Sequence, residues 1–216
     1  MAHFVETLIT LAAICGLLVL GLRRLDTCIK SVAVQGAAIA ALPLLLHEES
    51  LPAHGTVIAL AAASIAVKGV LVPLLMLRAM REAGVTKEVD PYVGHLPSVG
   101  FGIVAIGVAL WVAPRLPLRI APELGLVLPI AIATIVTGLF VLVTRRNALS
   151  QVLGFLVLEN GVFAFGLTLL RELPVLVELG VLLDVFVAVF AMGIATFRIK
   201  QTFDHVETDK LDELKG

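Results

Sequence analysis

Residues Arg145–Phe163 read RRNALSQVLGFLVLENGVF. Two arginines and an asparagine open an apolar run, and a carboxylate and an amide, Glu159 and Asn160, stand deep inside it. Crossing the hydrocarbon core of a bilayer takes roughly 20 mostly apolar residues, so the stretch reads as most of a membrane span with a charge at mid-depth. The same pattern repeats along all 216 residues: apolar runs separated by short clusters of Pro, Gly and charge. Hydrophobic residues make up 59% of the chain and charged ones 15%, and the mean hydropathy is +1.05. A soluble domain with a single anchor has neither that composition nor that repetition, so the chain is an all-α integral membrane protein.

Working outward from Glu159, the apolar runs resolve into about seven transmembrane helices. They cover approximately Phe4 to Leu22, Ile29 to Leu46, His54 to Leu77, Leu96 to Ala113, Leu124 to Val143, Ser150 to Leu170 and Pro174 to Phe197. The first lacks a basic segment in front of it, carries Glu6, and is followed by Arg23 and Arg24, so it reads as a retained helix rather than a signal peptide. Loop charge predicts the orientation. With the N-terminus outside, the inner side holds Arg23, Arg24, Lys30, Arg78, Arg81, Lys87, Arg145, Arg146, Arg198, Lys200, Lys210 and Lys215; the outer side holds only Arg115, Arg119 and Arg171. That asymmetry gives an N-out, C-in arrangement.

The chain also reads as internally duplicated. Arg23-Arg24 and Arg145-Arg146 each close a helix on the inner side, Leu51-Pro52 and Leu173-Pro174 each open the third helix of a group, and both pairs are 122 residues apart. Two three-helix units plus one extra helix follow, both units in the same orientation. The organisation is then an N-terminal three-helix membrane unit over residues 1–82, a cytoplasmic loop and linking transmembrane helix over 83–122, a second three-helix unit over 123–200, and a polar cytoplasmic tail over 201–216.

Three ionisable side chains fall well inside spans: Lys68, Glu159 and Asp184. Facing lipid at mid-depth, each would cost about 2.5 to 3.5 kcal/mol on insertion scales, so each is expected to face protein or a wet cavity. Groups that take up and release protons in such a place are what a proton relay needs. At 1.5 Å per residue, Glu159 and Asp184 lie at similar depth near the midplane of neighbouring antiparallel helices. Glu178 is six residues shallower than Asp184, about 9 Å, and rotated from it by roughly 120°, which suits an outer entrance. Asn160 and Gln35 are expected to hydrogen-bond between helices or to hold water. The blander alternatives are that Lys68 pairs with Glu159 or Asp184 purely as an interhelical fastener, and that Arg145 and Arg146 serve topology alone. Pro73, five residues after Lys68, is expected to kink the third span, and Gly154, Gly161 and Gly180 to admit a close neighbour.

Other chemistries find no support. A net charge of −1 gives no field for nucleic acid or an acidic substrate. Cys15 and Cys28 form no CxxC pair, and two cysteines cannot supply the four thiolates of an iron–sulfur cluster. The histidines show no metal-ligand spacing, and no Ser-His-Asp set or phosphate loop occurs. The chain therefore reads as non-catalytic, with no catalytic residue, metal site or cofactor of its own.

TRRNALSQVLGFLVLENGVFAFGL, ELPVLVELGVLLDVFVAV, the tail DKLDELKG and AVKGVLVPLLM around Lys68 together resemble hydrogenase-4 component E, the HyfE-type membrane subunit of formate hydrogenlyase and related energy-converting hydrogenases. The last three spans are also similar to the NuoK-type subunit of respiratory complex I and to MrpC-type subunits of cation/proton antiporters. Aligned on Arg145-Arg146-Asn147, the NuoK-type glutamate of the second helix falls at Leu156; Glu159 comes three residues later, on nearly the same face, and Asp184 stands where that type has its third-helix acid. The resemblance implies a non-catalytic membrane-arm subunit beside antiporter-like subunits in a bacterial or archaeal inner membrane, multi-pass, with the [NiFe] and iron–sulfur centres in partner subunits. Proton translocation through Glu159, Asp184 and Lys68 is the leading expectation; a structural linker, or a component of a multisubunit cation/proton antiporter, is the alternative.

Overall fold

The computed structural model describes residues 2–46, 54–82, 84, 91–118, 120–169 and 193. Its helices are α1 (Ala2–Gly21), α2 (Leu25–Ala40), α3 (Leu42–Leu46), α4 (His54–Ala66), α5 (Val72–Glu82), α6 (His95–Val112), α7 (Val127–Thr144) and α8 (Ala148–Leu169). Among the described residues there is no strand, and six helical stretches are long and apolar enough to cross a membrane. These match the first six predicted spans. The seventh, Pro174 to Phe197, lies outside the described residues except for Gly193, and with it Asp184, Glu178 and Gly180.

Two of the spans are interrupted for reasons visible in the sequence. The second breaks at Ala41, between α2 and α3, where Pro43 has no N–H to offer the carbonyl four residues back. The third passes through a π-helical turn, Val67–Leu71, between α4 and α5. The Val72 N–H reaches back to the Val67 carbonyl, five residues away, and the next residue is Pro73, which cannot continue an α-type ladder. Lys68 sits in this turn.

The helices alternate across the bundle. The end of α1 and the starts of α2, α6 and α8 share one end with the end of α7: the Arg145 side chain donates to the Leu20 carbonyl at 3.0 Å, and the Tyr92 N–H donates to the Thr144 carbonyl at 3.0 Å. Arg23, Arg24, Arg145 and Arg146 all belong to this basic end. The antiparallel pairs α1–α2 and α7–α8 form the centre, with α2 against α8, the third span against α2, and α6 against α1 and α7.

The α7–α8 pair is the tightest, because its glycines bring backbone to backbone. A Cβ added at Gly138 would lie 2.4 Å from the Leu158 nitrogen, one at Gly154 2.8 Å from the Leu142 nitrogen, and one at Gly161 2.7 Å from the Ile135 nitrogen. Small residues at such crossings are how membrane helices gain dispersion contacts, since the surrounding lipid is as apolar as their side chains. Two apolar cores result. One, with Leu20, Leu25, Ile29, Met76, Leu153 and Val157, lies toward the basic end. The other, with Val5, Ile9, Ile39, Leu42, Ala131, Phe163 and Leu167, lies toward the opposite end.

Candidate functional site

A polar layer separates the two cores. On α8, Glu159 and Asn160 stand between Val157 of one core and Phe163 of the other; on α2, Gln35 stands between Val32 and Ile39. Each polar residue lies near the middle of its span. Glu159 is eleven residues from Ala148 and ten from Leu169, Lys68 is fourteen from both His54 and Glu82, and Gln35 is ten from Leu25. At 1.5 Å per residue, these positions are all ~15 to 21 Å from a helix end. All four side chains are buried.

The π turn aims Lys68 into this layer. Its ammonium is ion-paired with Glu159 Oε1 and donates to Asn160 Oδ1 at 3.0 Å. Asn160 Nδ2 approaches Gln35 Oε1 at 3.5 Å, and Gln35 Nε2 donates to the Ala12 carbonyl of α1 at 3.0 Å. Four spans are thus joined in one donor-to-acceptor sequence: Lys68, Asn160, Gln35, Ala12. The Phe163 ring, four residues after Glu159 and on its face, lies 5.5 Å from the Lys68 ammonium, within reach of a cation–π attraction. Gly36 makes room for the lysine stem, since a Cβ there would meet Lys68 Cβ at 3.1 Å.

Both Glu159 and Lys68 keep a charged partner in a medium where an isolated charge is costly. The two carboxylate oxygens differ, however. Oε1 holds the ammonium, whereas Oε2 is buried and has no hydrogen-bond partner. A small cavity of ≈ 10 Å³ for the centre of a water molecule reaches the group, with Lys68, Glu159 and Asn160 at its polar head. Among the described residues, no three His, Cys, Asp or Glu side chains converge as a metal site would require.

The basic end holds a feature that sequence reasoning undervalued. Arg145 is 2% exposed, its backbone N–H bonds the Val141 carbonyl, and its guanidinium caps the last turn of α1 at Leu20. Its role extends beyond topology, tying the α7–α8 turn to the α1–α2 turn. Arg146 instead stacks on the exposed Tyr92 ring, 4.3 Å from its centroid, and Asn147 caps α8 by accepting the Leu149 N–H at 3.1 Å. The Gln151 side chain completes the turn on the Arg145 carbonyl at 3.0 Å. No sequence signal separates a buried arginine beside a helix end from a solvated one.

Of the residues singled out from sequence, Lys68, Glu159, Asn160 and Gln35 come together in one network, and Arg145 and Arg146 stand apart at the basic end. Asp184 and Glu178 lie outside the described residues.

Comparison with known proteins agrees with this architecture. The family model for NADH-ubiquinone/plastoquinone oxidoreductase chain 4L matches residues 126–216, which include α7 and α8. The uncharacterised protein Rv0085 of Mycobacterium tuberculosis is 34% identical over 197 residues, 89% of this chain and 87% of the relative. Hydrogenase-4 component E of Escherichia coli K12 and that of Shigella flexneri are each 29% identical over 157 residues, 72% of either chain. No solved structure matches the chain significantly. With six helices long and apolar enough to span a membrane among its described residues, and 34% identity over most of its length, the chain belongs to the same family of multi-pass membrane proteins as Rv0085; it is similar to hydrogenase-4 component E, and residues 126–216 are similar to the chain 4L (NuoK) type.

Proposed function

We propose that this chain is a non-catalytic membrane-arm subunit of an energy-converting [NiFe] hydrogenase complex, formate hydrogenlyase or a relative, and that it helps to move protons. Its neighbours are antiporter-like and other membrane-arm subunits, and the nickel–iron and iron–sulfur centres belong to hydrophilic partners. Glu159 is the exchanging acid, Lys68 the charge that responds to it, and Asp184, from the following span, the next acid along. In this reading the chain is an N-terminal three-helix unit over 1–82, a loop and linking helix over 83–122 and a second three-helix unit over 123–200, oriented N-out, C-in.

The observation that carries the proposal is Lys68 held between a carboxylate and a neutral amide at mid-depth. A proton arriving on Glu159 removes its charge beside Lys68 and weakens that ion pair, so proton arrival and the lysine's balance of contacts are coupled. The amides extend that coupling to α2 and α1. The test is proton translocation per turnover in the assembled complex carrying Glu159→Gln or Asp184→Asn. Translocation is expected to fall to a small fraction of native while hydrogenase turnover persists; unchanged translocation at normal assembly would overturn the proposal.

The ion pair itself favours a second reading, a structural subunit that fastens helices and joins antiporter-like partners. On that reading the same substitutions reduce the yield of complex and leave activity per complex intact. Membership of a cation/proton antiporter without redox partners is distinguished by identifying what co-purifies with the native chain.

A further inference from the structure

Among the described residues, the apolar lining of the cavity at Glu159 lies toward one end of the bundle. Below its polar head it is lined by Ile29 and Ala33 of α2, Val72 and Met76 of α5, and Leu153 of α8. On α2 and α5 these residues recur at helical spacing on one face, and all lie between the network and the basic end. Met76 is eight residues past Lys68, about 12 Å closer to that end, and is fully buried. Glu159 lines the head: its side chain is 2% exposed, and its Oε2 is buried with no protein donor. A buried anionic oxygen without a donor is costly, and the room beside it is close to what one water molecule needs.

We infer that this cavity binds water at Glu159 Oε2 and is the access path by which Glu159 exchanges protons with the basic, cytoplasmic side. The functional half of the inference rests on the relay reading above. The first step is a transfer from a hydronium in the cavity to Oε2, giving the neutral acid and a water molecule and weakening the ion pair with Lys68. The apolar stretch from Met76 to Ile29 is a hydrophobic constriction that conducts only when wet, so the proton does not leak when Glu159 is already neutral and draws no water in.

Radiolytic hydroxyl-radical footprinting of the intact complex in its membrane tests this, since radicals formed from bound water oxidise the side chains beside it. Met76, shut off from bulk solvent, is expected to be oxidised, with oxidation falling several-fold in Ala33→Leu, which fills the cavity, and rising in Ala33→Ser, which makes it more polar. Met76 left unmodified, or insensitive to both substitutions, would overturn the inference. If Ala33→Leu fails to assemble, the Ala33→Ser variant decides: increased Met76 oxidation supports the wet cavity and no increase refutes it. If Ala33→Leu dries the cavity and proton translocation is unchanged, the access route is wrong while the Glu159→Gln result still judges the relay. If Glu159→Gln leaves translocation unchanged while Met76 is labelled, the relay falls and the hydrated cavity stands.

Discussion

At the scale of single residues, the site depends on Lys68 and Glu159 pairing at mid-depth, where both are buried. Removing one partner of a buried pair is expected to cost ~3 to 5 kcal/mol, because the other charge is left uncompensated, whereas removing both is far milder. Lys68→Met should therefore sharply lower the amount of chain in assembled complex and its thermal stability in detergent, and Lys68→Met/Glu159→Gln should recover most of both. A single variant as stable as the double would contradict the pairing. Gln35→Leu removes the link between Asn160 and Ala12 and is expected to cost about 1 kcal/mol, the usual size of a hydrogen bond between membrane helices, measured as a small drop in the same melting temperature. The chemical identities of these residues were legible in the sequence, since each is a polar side chain in the middle of an apolar run. Their contacts were not: residue counts give depth along a helix, but which faces meet depends on rotation and on the neighbour chosen, and the sequence states neither.

Helices and their turns show the same division. Gly154 and Gly161 signalled close packing, and the structure adds Gly138 opposite them, with backbone atoms at distances a Cβ cannot occupy. Gly138→Ala is expected to force α7 and α8 apart and to abolish assembly. Gly107→Ala, on α6 where nothing lies within 4 Å, is expected to be silent, and immunoblots of the membrane fraction separate the two. Pro73 signalled a disturbance of the third span, which takes the form of a π turn beginning one residue before Lys68 and turning its side chain toward α8. Counting loop charges does not distinguish Arg145, which is buried, from the more exposed Arg146. Since its guanidinium holds the Leu20 carbonyl, Arg145→Met should destabilise the complex, while Arg146→Met, which loses only a stacking contact on an exposed ring, should be close to native in yield.

For the whole molecule, hydropathy revealed the architecture because the bilayer leaves few options: backbone polar groups must be satisfied within each segment, so apolar runs become helices. Six of the expected spans appear, and α1–α2 and α7–α8 form two hairpins whose arginine-bearing turns meet at one end. Between the two apolar cores of the described residues lies a polar layer, centred on a carboxylate that pairs with an ammonium through one oxygen and borders a water-sized cavity. On the relay reading proposed above, this carboxylate is the group that takes up and releases the proton. The most direct test is the infrared difference spectrum of the complex between rest and turnover, recorded for the native chain and for Glu159→Gln. A carboxylic-acid C=O band that appears during turnover and is missing in the variant is the result this account predicts. Spectra identical in that region, with turnover intact in both, would contradict it.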